Sequence, residues 1–264
     1  MADYIFIRKS RNALSSIAHV FLNLALAVVS IGATVITGNC LIGLVLILVS
    51  KWRIFAVNHR YWLLNIRSSL VDFIVGAGFV LLAYAAGQSF LIVHFVLMAL
   101  YAIWLIILKP RSSTNFAITQ ALTAVLIGTT AASIFAAITN DNIMSLILVA
   151  SEFLIGYAAS NHVLVQASDT NPTLISLAVG LVFAEIAWLS HVWLIIYTLG
   201  DTGICLSQLA LILTIAAFTY FQIYTDMSKH KGKLTLGNVS LPLIFCAVMI
   251  LTLVIGFSQP RFSI

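Results

Sequence analysis

Six side chains able to gain or lose a proton sit inside long apolar stretches of this sequence: Glu152, Glu185, His94, His191, His19 and Asp72. An ionised group at the centre of a bilayer costs roughly 2.5–3.5 kcal/mol on insertion scales, so each needs a partner or a use. By depth the six form three layers. Glu152 and Glu185 fall near the middle of their stretches, His94 and His191 toward one end, and His19 and Asp72 toward the other. On helical spacing Glu152 lines up with Ser145, Gly156 and Ser160, and Asp72 with Asn65, Ser69 and Gly76, which aims both stripes at a bundle interior. Glu152 and Glu185 are therefore expected to form a central carboxylate pair that shares a proton, with the other four as relay groups. That chemistry belongs to a secondary carrier, proton-linked, for a small or lipid-like solute. The same residues also read as hydrogen-bonded helix glue, worth about 0.6 kcal/mol per contact.

A second constellation lies between residues 51 and 67, where Arg53, Arg60 and Arg67 recur every seven residues and Trp52, Phe55, Trp62 and Ile66 share a neighbouring face. Such a segment is expected to be a cytoplasmic interfacial amphipathic helix with arginines on headgroup phosphates and aromatic rings at the membrane surface. Anionic lipid headgroups are its natural partner. With Asp72 nearby as a base, the row would also suit an intramembrane enzyme acting on a lipid or lipid-linked phosphate.

Other chemistries are missing. No apolar stretch contains a lysine for a retinal Schiff base, and there is no GxSxG elbow, Walker loop or paired-aspartate magnesium motif. Cys40, Cys205 and Cys246 are scattered through separate stretches without ligand spacing. His94 and His191 match in depth, but neither stretch carries the second histidine of stacked haems. No cofactor and no metal is expected.

The elements that must hold these groups are membrane helices. The chain has 264 residues, 62% hydrophobic and 8% charged, with a mean hydropathy of +1.11, and about 20 residues suffice for one helical crossing. Windows of that size predict an all-α polytopic bundle of about nine spans, eight being the alternative: 13–32, 35–50, 68–87, 89–108, 116–138, 142–161, 174–197, 203–224 and 238–258. No length remains for a separate soluble domain. The first two spans, free of charge from 13 to 50, read as a hairpin turning near Gly32 or at Gly38-Asn39.

Arg8, Lys9, Arg11, Lys51, Arg53, Arg60, Arg67, Lys109, Arg111, Lys229, Lys231 and Lys233 then fall on one side and Arg261 alone on the other, where Asp141 and Asp201 also lie. The positive-inside rule puts the N-terminus in the cytoplasm and the C-terminus outside, in a multi-pass protein of the cytoplasmic membrane. Reading residues 8–30 as a cleaved signal peptide gives the same topology thereafter. Nucleic acid is excluded as a partner, since the basic residues that give the net charge of +5 sit beside apolar spans.

Small residues at Ala117, Ala121, Ala124, Gly128, Ala132 and Ala136 line one helix face and invite close packing, either inside the bundle or on a partner helix or second copy, as in a non-catalytic scaffold subunit. Trp104-Leu-Ile-Ile and Trp193-Leu-Ile-Ile hint at an inverted repeat.

Overall fold

A computed structural model describes residues 2–54, 56, 58–87, 90–139, 142–198, 203–229 and 236–257, with side chains described from residue 17 onward except at 53, 139, 142, 193, 229 and 236–238. Asp141, Asp201, Lys231, Lys233 and Arg261 lie outside the described residues, as do Phe55 and the side chains of Arg8, Lys9, Arg11, Arg53 and Lys229. Nine helices follow one another among the described residues: α1 (Ala2–Thr37), α2 (Cys40–Ser50), α3 (Trp62–Ala85), α4 (Leu91–Ile103), α5 (Thr114–Thr139), α6 (Asn142–Gln166), α7 (Pro172–Ser190), α8 (Gln208–Lys229) and α9 (Leu236–Leu251). Eight of them are long and apolar enough to cross a membrane. The protein is a multi-pass membrane helix bundle.

The exception is α2. Its 11 residues rise about 16 Å, roughly half of a hydrocarbon layer. The chain does turn back at Gly38-Asn39: Gly38 adopts φ +63°, and Asn39 caps α2 by accepting the Leu41 N–H at 2.9 Å. A Cβ on Gly43 would stand 2.8 Å from the Ser30 carbonyl, so α1 and α2 form a tight antiparallel hairpin. Ile47 then meets Gly76 of α3.

Helix α5 sits centrally, packed on α3, α6 and α8. Most of its small face packs inside the chain: Ala117, Ala121 and Ala124 are buried, Gly128 faces Ile74 of α3 and Ile155 of α6, and Ala132 and Ala136 are half-buried. Close approach also joins α6 to α7, where a Cβ on Gly156 would lie 2.6 Å from the Phe183 ring. At the edge, α9 buries no residue of its apolar window.

Two expected spans run too far. The stretch 174–197 leaves the helix at Ser190, and 203–224 becomes helical only at Gln208, because Ile196–Thr198 and Cys205–Ser207 pair as a short antiparallel hairpin with Tyr197 opposite Leu206. A short apolar run rich in β-branched residues suits strand and helix equally, so hydropathy could not see the break. The Trp-Leu-Ile-Ile match dissolves for the same reason. Trp104–Leu108 is a π-helical extension of α4, whereas Trp193 ends a 3-10 turn and its Leu-Ile-Ile leads into the hairpin.

A basic cavity as candidate functional site

Three segments end or turn at one level of the bundle. Lys51 follows α2, Asp72 sits in the third turn of α3, and Lys109 follows the π turn of α4. The hairpin register that sets Gly43 on Ser30 and Ile47 on Gly76 carries Lys51, one helical turn further, onto Asp72. The π turn does the equivalent for α4. Its defining bond, Lys109 N–H to Trp104 O at 2.9 Å, fits an extra residue into the turn and brings both Trp104 and Lys109 to the aspartate.

The result is an unequal ion cluster. Lys51 and Lys109 both contact Asp72 Oδ2, Lys109 at 2.8 Å, while the Trp104 indole N–H donates to Oδ1 at 3.1 Å. With both lysines protonated, two ammoniums facing one carboxylate leave one positive charge over. Burial, followed by the charge of Lys109, pushes the Lys51 ammonium down to about 7, and burial also lowers Lys109. Lys109 is the more open of the two, with 38% of its side chain exposed against 16% for Lys51.

These groups wall a cavity of about 330 Å³ together with Ser68, Ser69, Gln120 and His162. Gln120, on α5, donates its amide to the Leu108 and Arg111 carbonyls at 2.6 and 2.9 Å and meets His162 Nε2 of α6 at 2.6 Å. Other cavities differ in kind. Those of about 340 Å³ between α2, α3, α5 and α6, and about 280 Å³ between α6, α7 and α8, are walled mostly by alkyl and aromatic groups.

Of the six ionisable candidates and the three arginines, only Asp72 lines this cavity, with Ser69 of its predicted stripe beside it. Glu152 is fully buried between α5 and α6, where it accepts the Thr129 hydroxyl at 2.7 Å through Oε2 while Oε1 has no hydrogen-bond partner. Glu185 is exposed on α7. The two therefore form no central pair, because the α7 face packed on α6 is the Ser176, Gly180, Phe183 and Ala187 stripe and position 185 falls off it. His94 is buried at the start of α4 with Nε2 3.1 Å from the Ala83 carbonyl. His191 caps the end of α7, bonded to the Trp188 carbonyl, so it is not inside a span. His19 is exposed on α1, although Asn23 one turn on donates to Leu105 O at 3.4 Å.

Among the described residues, 51–67 do not form one continuous helix. Between α2 and α3 the chain makes two 3-10 turns, Trp52–Ile54 and His59–Tyr61, and Asn58 interrupts any continuous helix by accepting the Arg60 N–H at 3.4 Å. Arg60 is exposed. Arg67 is tied into the bundle: its Nη2 donates to Asn161 Oδ1 at 2.5 Å and Thr173 Oγ1 at 2.6 Å, with the Tyr157 ring 5.5 Å away.

Lys51, Lys109, Trp104, Gln120 and His162 escaped the sequence reading as site residues. The lysines carried a signal, since each flanks an apolar stretch, but it was absorbed by topology. His162 lies just past the predicted end of its span. No group of three or more His, Cys, Asp or Glu that could hold a metal ion occurs among the described residues. No protein-family model, curated protein or solved structure matches this chain.

Proposed function

We propose that this protein binds the phosphate of a lipid or lipid-linked substrate in the Lys51–Asp72–Lys109 cavity, as the recognition step of lipid chemistry in the membrane. The observation that carries the reading is the convergence of two lysine amines on one carboxylate oxygen, in a half-open cavity that Ser68, Ser69, Gln120 and His162 also line, so that protonation of both lysines leaves a cation to be met by an anion. An anion is the ligand that completes such a cluster, and lysine is a common point-charge binder of phosphate. The position at the ends of α2 and α4 supports a headgroup, since the charge sits where apolar helix gives way to polar chain. A proton-linked carrier is less well supported, because Glu152 and Glu185 do not meet.

The test uses purified protein in nanodiscs containing a small fraction of anionic phospholipid, with lipid retention read by native mass spectrometry. Retention is expected to fall in Lys51→Ala/Lys109→Ala and to survive in Lys51→Arg/Lys109→Arg. Wild-type retention by the double alanine variant would overturn the proposal.

A further inference from the structure

The hydrogen-bond inventory of the cavity goes further, resting on the phosphate reading above. Its donors are nearly all committed. The Ser68 hydroxyl donates to the Asn65 carbonyl at 2.9 Å, the Ser69 hydroxyl to the Ile66 carbonyl at 3.0 Å, and the Trp104 N–H to Asp72. Both carbonyl contacts of Gln120 are made by its amide nitrogen, so its oxygen faces His162 and has to accept. His162 therefore carries a proton on Nε2, and in the neutral ring Nδ1 is its acceptor.

What remains for a ligand is uneven. Donors come from the two lysine ammoniums; acceptors come from the Ser68 and Ser69 oxygens and His162 Nδ1. A ligand made only of acceptors, such as a bare phosphate ester, would satisfy the lysines and make no bond to those acceptors, whereas a ligand that also brings donors gains a bond at each one it reaches. An ammonium headgroup supplies donors but brings a third cation to a cluster that, with both lysines protonated, already has one too many. Neutral hydroxyls supply donors without charge.

We infer that the cavity takes a polyol phosphate, a phosphate ester that also carries free hydroxyl groups, with the phosphate on Lys51 and Lys109 and the hydroxyls on Ser68, Ser69 and His162. Such a group can be carried on a lipid or be free in solution.

Phosphatidylglycerol and phosphatidylmethanol test this, because they share charge and acyl chains and differ in the hydroxyls. In nanodiscs, phosphatidylglycerol is expected to be retained about fivefold better for each hydroxyl hydrogen bond made. The preference should fall by about fivefold in His162→Phe, the share of one hydroxyl bond, while retention of phosphatidylmethanol persists. Equal, lysine-dependent retention of both lipids by the wild type overturns the polyol inference and leaves the phosphate reading standing. Retention of both that ignores the lysine substitutions overturns both. The lipid comparison on the wild-type protein decides the matter even if the phenylalanine variant does not fold. Soluble glycerol 1-phosphate and methyl phosphate, added as competitors, locate the source: displacement by the former and not the latter supports a free polyol phosphate, and displacement by neither, alongside the phosphatidylglycerol preference, supports the lipid.

Discussion

The indole N–H of Trp104 donates to Asp72 Oδ1 at 3.1 Å, joining the π turn that extends α4 to the third turn of α3. Trp104 is buried, so this is a hydrogen bond to a charged acceptor largely away from water. Replacing Trp104 with Phe keeps one aromatic ring, removes the donor and leaves a small void at a buried site. A loss of about 1.5–3 kcal/mol is expected, the range for bonds to charged groups, visible as a lowered unfolding temperature in detergent. An unchanged temperature would mean that water replaces the indole at Oδ1.

Asp72→Asn should separate stability from binding. The substitution removes the one carboxylate between Lys51 and Lys109, leaving two neighbouring cations without a counter-ion. The ligand-free protein is expected to lose stability, while affinity for an anionic headgroup rises about threefold or more. Titration of phosphatidylglycerol into nanodisc-held protein, beside thermal unfolding, reads both. Reduced affinity would assign Asp72 a direct contact with the ligand.

A pH dependence follows from Lys51, whose ammonium is pushed down to about 7 from 10.5 by burial and then by the charge of Lys109. Below pH 7 it is charged whether the chain is folded or not, so the cost of burying that charge is fully present. Between about 7 and 10.5 the unfolded chain holds the proton and the fold does not, so ligand-free stability rises with pH there. Anion binding runs the other way. It needs the proton, and affinity should fall by up to about tenfold per unit above pH 7. Lys51→Arg, which stays charged, should flatten the binding profile between pH 6 and 9; a profile unaffected by that change would place the titrating group elsewhere.

Much of the fold was legible because hydropathy and charge act over whole segments. Eight long helices, the Gly38-Asn39 turn and the inward small face of α5 follow from residue types summed over many positions. Summed hydropathy and charge are blind where a single local bond decides: the Asn58 cap that interrupts helix between residues 51 and 67, the Ser190 helix end, and the π turn at Trp104–Leu108. The site suffered most from this. Asp72 could be singled out as an ionisable group within a span, but Lys51 and Lys109 reach it only through the α1–α2 register and the π turn, and neither leaves a trace in composition.

Glu152 supplies the sharpest control on which group governs protons in this protein. It is fully enclosed, its Oε2 accepts the Thr129 hydroxyl at 2.7 Å, and no hydrogen-bond partner meets Oε1, so its surroundings are those of a packed helix contact. Glutamine matches its shape and keeps an oxygen for Thr129. Glu152→Gln is therefore expected to change unfolding stability by less than about 1 kcal/mol, within the range of isosteric buried replacements. Glu185→Gln, on an exposed face, should change it less still. Both variants should keep the decline in headgroup affinity above pH 7, since that decline belongs to Lys51. If Glu152→Gln instead flattened the profile while Lys51→Arg left it intact, the proton that matters would sit between α5 and α6. The carrier reading would then displace the headgroup site.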